Sequence, residues 1–171
     1  GQRSESEIAL REYFTDAEFF LAQEYYLDAL NDYLQVYKRG YEDNANINYR
    51  IDICYLNIPG QKEKAIDYFE KAKKSVSPNY KESSLNEKNA PIDVYLYLGN
   101  AYRVNNNLDE AIESYRKYKD LLPEEELNLH KYANQQIEAC NIASEFFAKP
   151  VDLEFINLGE EINTGNDDYK A

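Results

Sequence analysis

Residues 93–123 read DVYLYLGNAYRVNNNLDEAIESYRKYKDLLP, and the spacing within this stretch decides the fold. Tyr95, Leu98 and Tyr102 recur three and four residues apart, which places them on one stripe of a helix. Gly99 sits beside that stripe, where the lack of a side chain lets a second helix come close. Asn105, Asn106 and Asn107 form the turn, because asparagine tolerates a left-handed backbone and can cap the helix that follows. Asp109 and Glu110 open that second helix with charge that suits its N-terminal dipole. Ala111 is its small residue opposite Gly99, Tyr115 follows one turn on, and Pro123 stops it. The stretch is therefore expected to fold as two antiparallel helices at close range.

The same order recurs upstream. Ser4 and Glu7 form a capping box that should start a helix running to about Gln23. On that helix Tyr13, Ala17 and Phe20 take the places of Tyr95, Gly99 and Tyr102, while Asp16 departs from the pattern at the Leu98 position. Its partner carries Ala29 and Tyr33 and ends at Gly40, after Lys38 and Arg39. A second pair begins at Asn44, places Ile51 and Tyr55 on the inner stripe, turns through Asn57 to Gly60, and continues with Ala65 and Phe69. Tyr95-x2-Leu98-Gly99-x2-Tyr102, Ala111-x3-Tyr115 and Pro123 together resemble the tetratricopeptide repeat, with Tyr95 in place of the usual Trp and Tyr118 where a small residue is common. The resemblance implies an all-α, right-handed superhelix of three helix-turn-helix repeats, closed by a C-terminal capping helix and followed by a short extended tail.

Ala29 and Ala65 are 36 residues apart and Ala65 and Ala111 are 46 apart, against a repeat of about 34. The second junction thus holds an insertion of about twelve residues. It lies between Pro78 and Pro91 and reads as an ordered or semi-ordered loop. After Pro123, three glutamates precede a long helix with apolar positions at Leu129, Tyr132, Ala133, Ile137, Cys140 and Phe147. A solenoid needs such a helix to cover its last apolar face. Past Pro150 the apolar residues Val151, Leu153 and Phe155 alternate, and glycine and asparagine follow. The expected division is a repeat domain over residues 1–149 and an extended linker over 150–171 that leads to a further domain.

A net charge of −13 opposes binding to nucleic acid or to an anionic membrane surface. One histidine and two distant cysteines make no ligand set, and neither a phosphate loop nor a nucleophile beside a base is present, so no metal, cofactor or catalytic group is expected. Cys54 and Cys140 fall on helices separated by an intervening one. Two interhelical spacings of roughly 8–10 Å exceed the roughly 4.4–6.8 Å that a disulfide spans, so both are expected as free thiols.

Binding in the groove is the remaining reading, because stacked pairs present the first helix of each pair on a concave face. Residues just past the core stripe line it: Tyr49, Arg50 and Ile53 in the second pair, Tyr97, Asn100 and Arg103 in the third, and His130 and Asn134 on the capping helix. Arginine forms paired bonds to carboxylates and tyrosine buries area at low entropy cost, so these suit an extended peptide. Leu96 and Tyr49 stand where a chaperone-tail clamp would need lysine, which argues against that ligand.

Three segments together carry a narrower resemblance: residues 54–60 (CYLNIPG), 90–103 (APIDVYLYLGNAYR) and 156–164 (INLGEEINT). They are similar to the N-terminal tetratricopeptide region of Bacteroidetes envelope proteins in which a WD40-like propeller and an OmpA-like domain follow, including a type IX secretion accessory protein of that architecture. The resemblance implies a non-enzymatic interaction module, periplasmic or outer-membrane-associated, that binds a protein or peptide partner of the envelope. It would touch the membrane only through other parts of the full-length protein. A cytosolic scaffold or co-chaperone of the same fold is the alternative.

Overall fold

Ser4 opens the first helix by accepting the Glu7 N–H on its Oγ at 3.3 Å. The computed structural model describes residues 4–149, so the tail expected from residue 150 lies outside the described residues. These fold into seven α-helices: α1 (Glu5–Ala22), α2 (Tyr26–Val36), α3 (Ala45–Asn57), α4 (Ala65–Ala72), α5 (Asp93–Val104), α6 (Leu108–Leu121) and α7 (Leu127–Ala148). No strand occurs among the described residues. A wide turn at Tyr37–Tyr41 prolongs α2 until Gly40 leaves the helix at φ +92°, the left-handed conformation expected there.

Packing is sequential. α1 lies on α2, α3 on α4 and α5 on α6, and each pair contacts the next through its second helix, with α7 on α6 at the end. This is a helical, repeat-like arrangement compatible with an α-solenoid.

Pairs one and three superpose in their chemistry at an offset of 82 residues. The Tyr33 hydroxyl donates to Glu18, and the Tyr115 hydroxyl donates to Asn100 at 2.7 Å. Glu24 and Asn106 occupy the turns with φ of 61° and 59°. The N–H of Tyr25 bonds the Phe20 carbonyl at 2.9 Å, and that of Asn107 bonds the Tyr102 carbonyl at 3.0 Å. Asn106 is thus left-handed as its type suggests, but the asparagines do not cap α6, since Asn107 makes no side-chain cap bond. Asn105 instead donates its amide to the Ala101 carbonyl at 2.8 Å and serves the end of α5.

The small positions are buried as expected: Ala17, Ala29, Ala65, Gly99 and Ala111. In the middle pair, whose turn is one residue longer, the position of Ala17 and Gly99 falls on Asp52. This carboxyl is 0 % exposed, and neither oxygen has a hydrogen-bond partner among the described residues. Burial raises its pKa well above the usual carboxylate range, with Asp67 adding to the effect.

One expectation needs correction, and one feature gains definition. α7 buries Ala133 and Cys140 against α6, with Ile137 half-buried beside them, but Leu127, Leu129, Tyr132, Ile142, Phe146 and Phe147 are exposed on it. The helix therefore caps one apolar face and presents another, because apolar residues fall on both of its sides. The insertion between α4 and α5 is ordered, as its bracketing prolines suggest. Its base is closed by a bridge between Val76 and Ala90, with N–H to carbonyl bonds of Ala90 to Ser75 at 2.8 Å and Ser77 to Ala90 at 3.0 Å. Inside it, the Glu87 carboxylate accepts the backbone N–H groups of Lys81, Lys88 and Asn89 at 2.8–2.9 Å. Those bonds, led by that of Asn89, hold its pKa below the usual range. The resulting strap lies across α1 and α3.

Candidate binding groove

The first helices of the pairs carry the groove residues, and the strap divides them into a covered half and an open half. In the covered half, Arg50 is 5 % exposed and its Nε stands 3.3 Å from Glu18 Oε1. This is an ion pair without an aligned hydrogen bond, and Nη2 has no partner among the described residues. Glu82 of the strap reaches only to 3.9 Å from Nη1 and is itself 78 % exposed. The expectation of Arg50 as an open anchor is therefore corrected: α1 supplies its counter-charge and the strap covers it. Tyr49 is buried too, with its ring edge-on to Tyr80 of the strap at 6.4 Å. Burial among these groups pushes the Tyr80 phenol up to about 12, against the pull of Arg50.

Glu18 is the residue that reading the sequence missed. It accepts the hydroxyls of Tyr33 and, at 2.6 Å, Ser83 of the strap, besides pairing Arg50. Its signal lay in the repeat itself, since Glu18 precedes Tyr33 by the same spacing that separates Asn100 from Tyr115.

The open half is built on α5. Tyr97, Asn100 and Arg103 follow at three-residue steps and share one side of the helix. Tyr97 is half-buried, stacked on Phe69 at 6.1 Å and leaning on Tyr49 at 6.2 Å, so it joins the two halves. Asn100 is oriented by the Tyr115 hydroxyl and, with Tyr97, Leu56, Asn57 and Val104, lines a cleft of about 290 Å³. Arg103 is exposed, and among the described residues no carboxylate lies within ion-pair distance of it. Its guanidinium lies beside the Tyr115 phenol, which burial raises to about 12 and Arg103 pulls the other way. Ile53 is half-buried and packs on the core.

His130 and Asn134 are not brought to this cluster. The His130 ring contacts the Pro123 carbonyl at 3.1 Å, and Asn134 accepts from Lys119 at 3.1 Å, so both engage α6 and its following turn. α7 faces Arg103 near Cys140. Ten residues of helix, about 15 Å, separate Cys140 from His130. A larger cleft of about 470 Å³ between α5, α6 and the end of α4 is lined by both Lys73 and Lys117 and by Glu110 and Glu113, and this mixture of signs selects no ligand.

Among the described residues no group of three His, Cys, Asp or Glu is placed to hold a metal ion, and no helix is long and apolar enough to cross a membrane. No protein-family model matches the chain, and no curated protein matches its sequence.

Proposed function

We propose that this chain is a tetratricopeptide-type module of three helix pairs and an end helix, which holds an extended, carboxylate-bearing segment of a protein partner along α5 and carries out no chemistry itself. The observation that carries the reading is Arg103: an exposed guanidinium with no ion-pair partner among the described residues, one turn from Asn100 and two from Tyr97, on a molecule of net charge −13. A cation without a counter-charge, with Lys62 lining the cleft beside it, makes a local positive potential that can attract an acidic segment despite the overall repulsion. The 82-residue correspondence between pairs one and three supports the repeat reading. Location in the periplasm or at the outer membrane rests on the resemblance of residues 54–60, 90–103 and 156–164 to envelope proteins.

Recovery of partners from an envelope extract by wild type and by Arg103→Ala tests the proposal. Loss of a desolvated arginine anchor costs about 2 kcal/mol or more, a roughly thirtyfold weaker affinity, and the remaining binding should weaken with salt. Equal recovery by both proteins, at equal helix content, would remove Arg103 and the α5 groove from the interaction.

A further inference from the structure

The strap sits on α1 and α3 in the way a bound peptide would. Asn46 and Asn44 at the start of α3 donate their side-chain amides to main-chain carbonyls of the strap, to Ser84 at 3.4 Å and to Glu87 at 3.1 Å. The Tyr80 hydroxyl donates back to Asn46 Oδ1 at 2.6 Å, and the Ser83 hydroxyl donates to Glu18 at 2.6 Å. Helix side chains that read backbone carbonyls grip a segment without demanding its full sequence.

The strap is nonetheless an imperfect occupant. It leaves Arg50 Nη2 buried and unpartnered among the described residues. A buried donor left without an acceptor is destabilising, because it has given up its water without replacement. Glu82, the acidic residue in reach, stays mostly in water. Ser83 adopts φ 56°, a left-handed conformation that a serine disfavours. Lys81, Glu82, Ser83 and Asn86 are exposed, and the apolar hold on the strap comes from half-buried Leu85 on the core and from Tyr80 against Tyr49. Its two ends, in contrast, are tied to each other at Val76 and Ala90, so the tip can lift without releasing α4 or α5.

We propose that residues 79–88 are a built-in, displaceable occupant of the covered half of the groove, and that this half, once vacated, accepts in trans an acidic, hydroxyl-bearing peptide whose carboxylate completes the bonding of Arg50. This deepens the function proposed above, since Tyr97 joins the two halves and an incoming segment can run from one into the other. A tethered occupant acts at an effective concentration in the millimolar range. It therefore lowers the apparent affinity of any competitor by the fraction of time it is lifted.

The probe is a fluorescent synthetic peptide of residues 77–90, titrated by anisotropy against the intact chain and against a chain whose residues 79–88 are replaced by a short Gly-Ser linker. The expected result is saturable binding to the shortened chain, at least tenfold weaker binding to the intact chain, and a further loss of about tenfold when Asn46→Ala is added to the shortened chain. A shortened chain that keeps its helical circular dichroism and does not bind the peptide overturns the proposal. A shortened chain that loses its helicity overturns it as well, because the strap is then a packing element that cannot leave. In the intact chain, Tyr80→Phe with Ser83→Ala removes two bonds of the strap and should raise peptide binding severalfold; no rise refutes the competition. The probe carries the strap's own sequence, so the outcome is independent of whether a partner binds at Arg103.

Discussion

The edge of the Tyr115 ring rests on Gly99, where a Cβ would stand 2.7 Å from Cε1 and 2.8 Å from Cδ1. Tyr115 is fully buried and its hydroxyl is tied to Asn100, so the ring has no room to swing aside. Gly99→Ala should destabilise the fold by roughly 1–3 kcal/mol through overpacking, read as a fall of about 2–4 °C in Tm per kcal/mol. A thermal midpoint that rises, as the gain in helix propensity alone would make it, would show that α5 and α6 are not in close contact there.

Asp52 makes stability fall as pH rises. Its folded pKa is raised, so between the unfolded value of 3.8 and the folded one the native state binds more protons than the unfolded chain, and stability declines across that window. Asp52→Asn removes the titration while keeping the shape. The variant should melt several degrees above wild type at pH 8, on the scale of about 2–4 °C per kcal/mol, and the gap should narrow toward pH 4. A gap that is constant with pH would mean that Asp52 titrates alike in both states.

Glu18→Ala strands the buried Arg50 and leaves the Tyr33 and Ser83 hydroxyls without their acceptor. Removing one member of a buried pair costs about 3–5 kcal/mol. Glu18→Gln, which keeps an acceptor but not the charge, should lose less. Urea midpoints of the two variants measure the difference, and a Glu18→Ala midpoint equal to wild type would dismiss the pair as a structural element.

Cys54 and Cys140 are free and buried. Burial pushes the Cys54 thiol up to about 12, against the pull of Arg50, so almost none of it is thiolate at pH 8. The native protein should resist iodoacetamide at Cys54 for hours and be alkylated at once in urea. A non-reducing mass lower by two hydrogens, mapped to these residues, would contradict both the free thiols and the helix register.

The helix pairs were legible because their determinants are local: small residues at Ala17, Gly99, Ala29, Ala65 and Ala111, spaced so that helix pitch alone places them face to face. Ser4 and Gly40 likewise announce helix ends through backbone chemistry that depends on nearby residues only. The groove was half legible for the opposite reason. Which side of α3 Arg50 and Tyr49 occupy follows from periodicity, but whether water reaches them depends on a strap 30 residues downstream, held by Tyr80 and Ser83 to Asn46 and Glu18. No local pattern encodes such a contact. His130 and Asn134 were misplaced because the register of α7 against the preceding helices is set by long-range packing, and a shift along α7 changes no local spacing.

The outward side of α7 sets two forces of different range against each other whenever two of these molecules meet. A net charge of −13 repels neighbours over about a Debye length, roughly 10 Å in 0.1 M salt and roughly 3 Å in 1 M. Leu127, Tyr132, Ile142 and Phe146 attract only at contact, and salt does not weaken that attraction. Ionic strength is therefore expected to act on the approach of two chains in the sense opposite to its effect on the acidic segment proposed to bind at Arg103: salt that loosens such a ligand also removes the barrier between like-charged molecules.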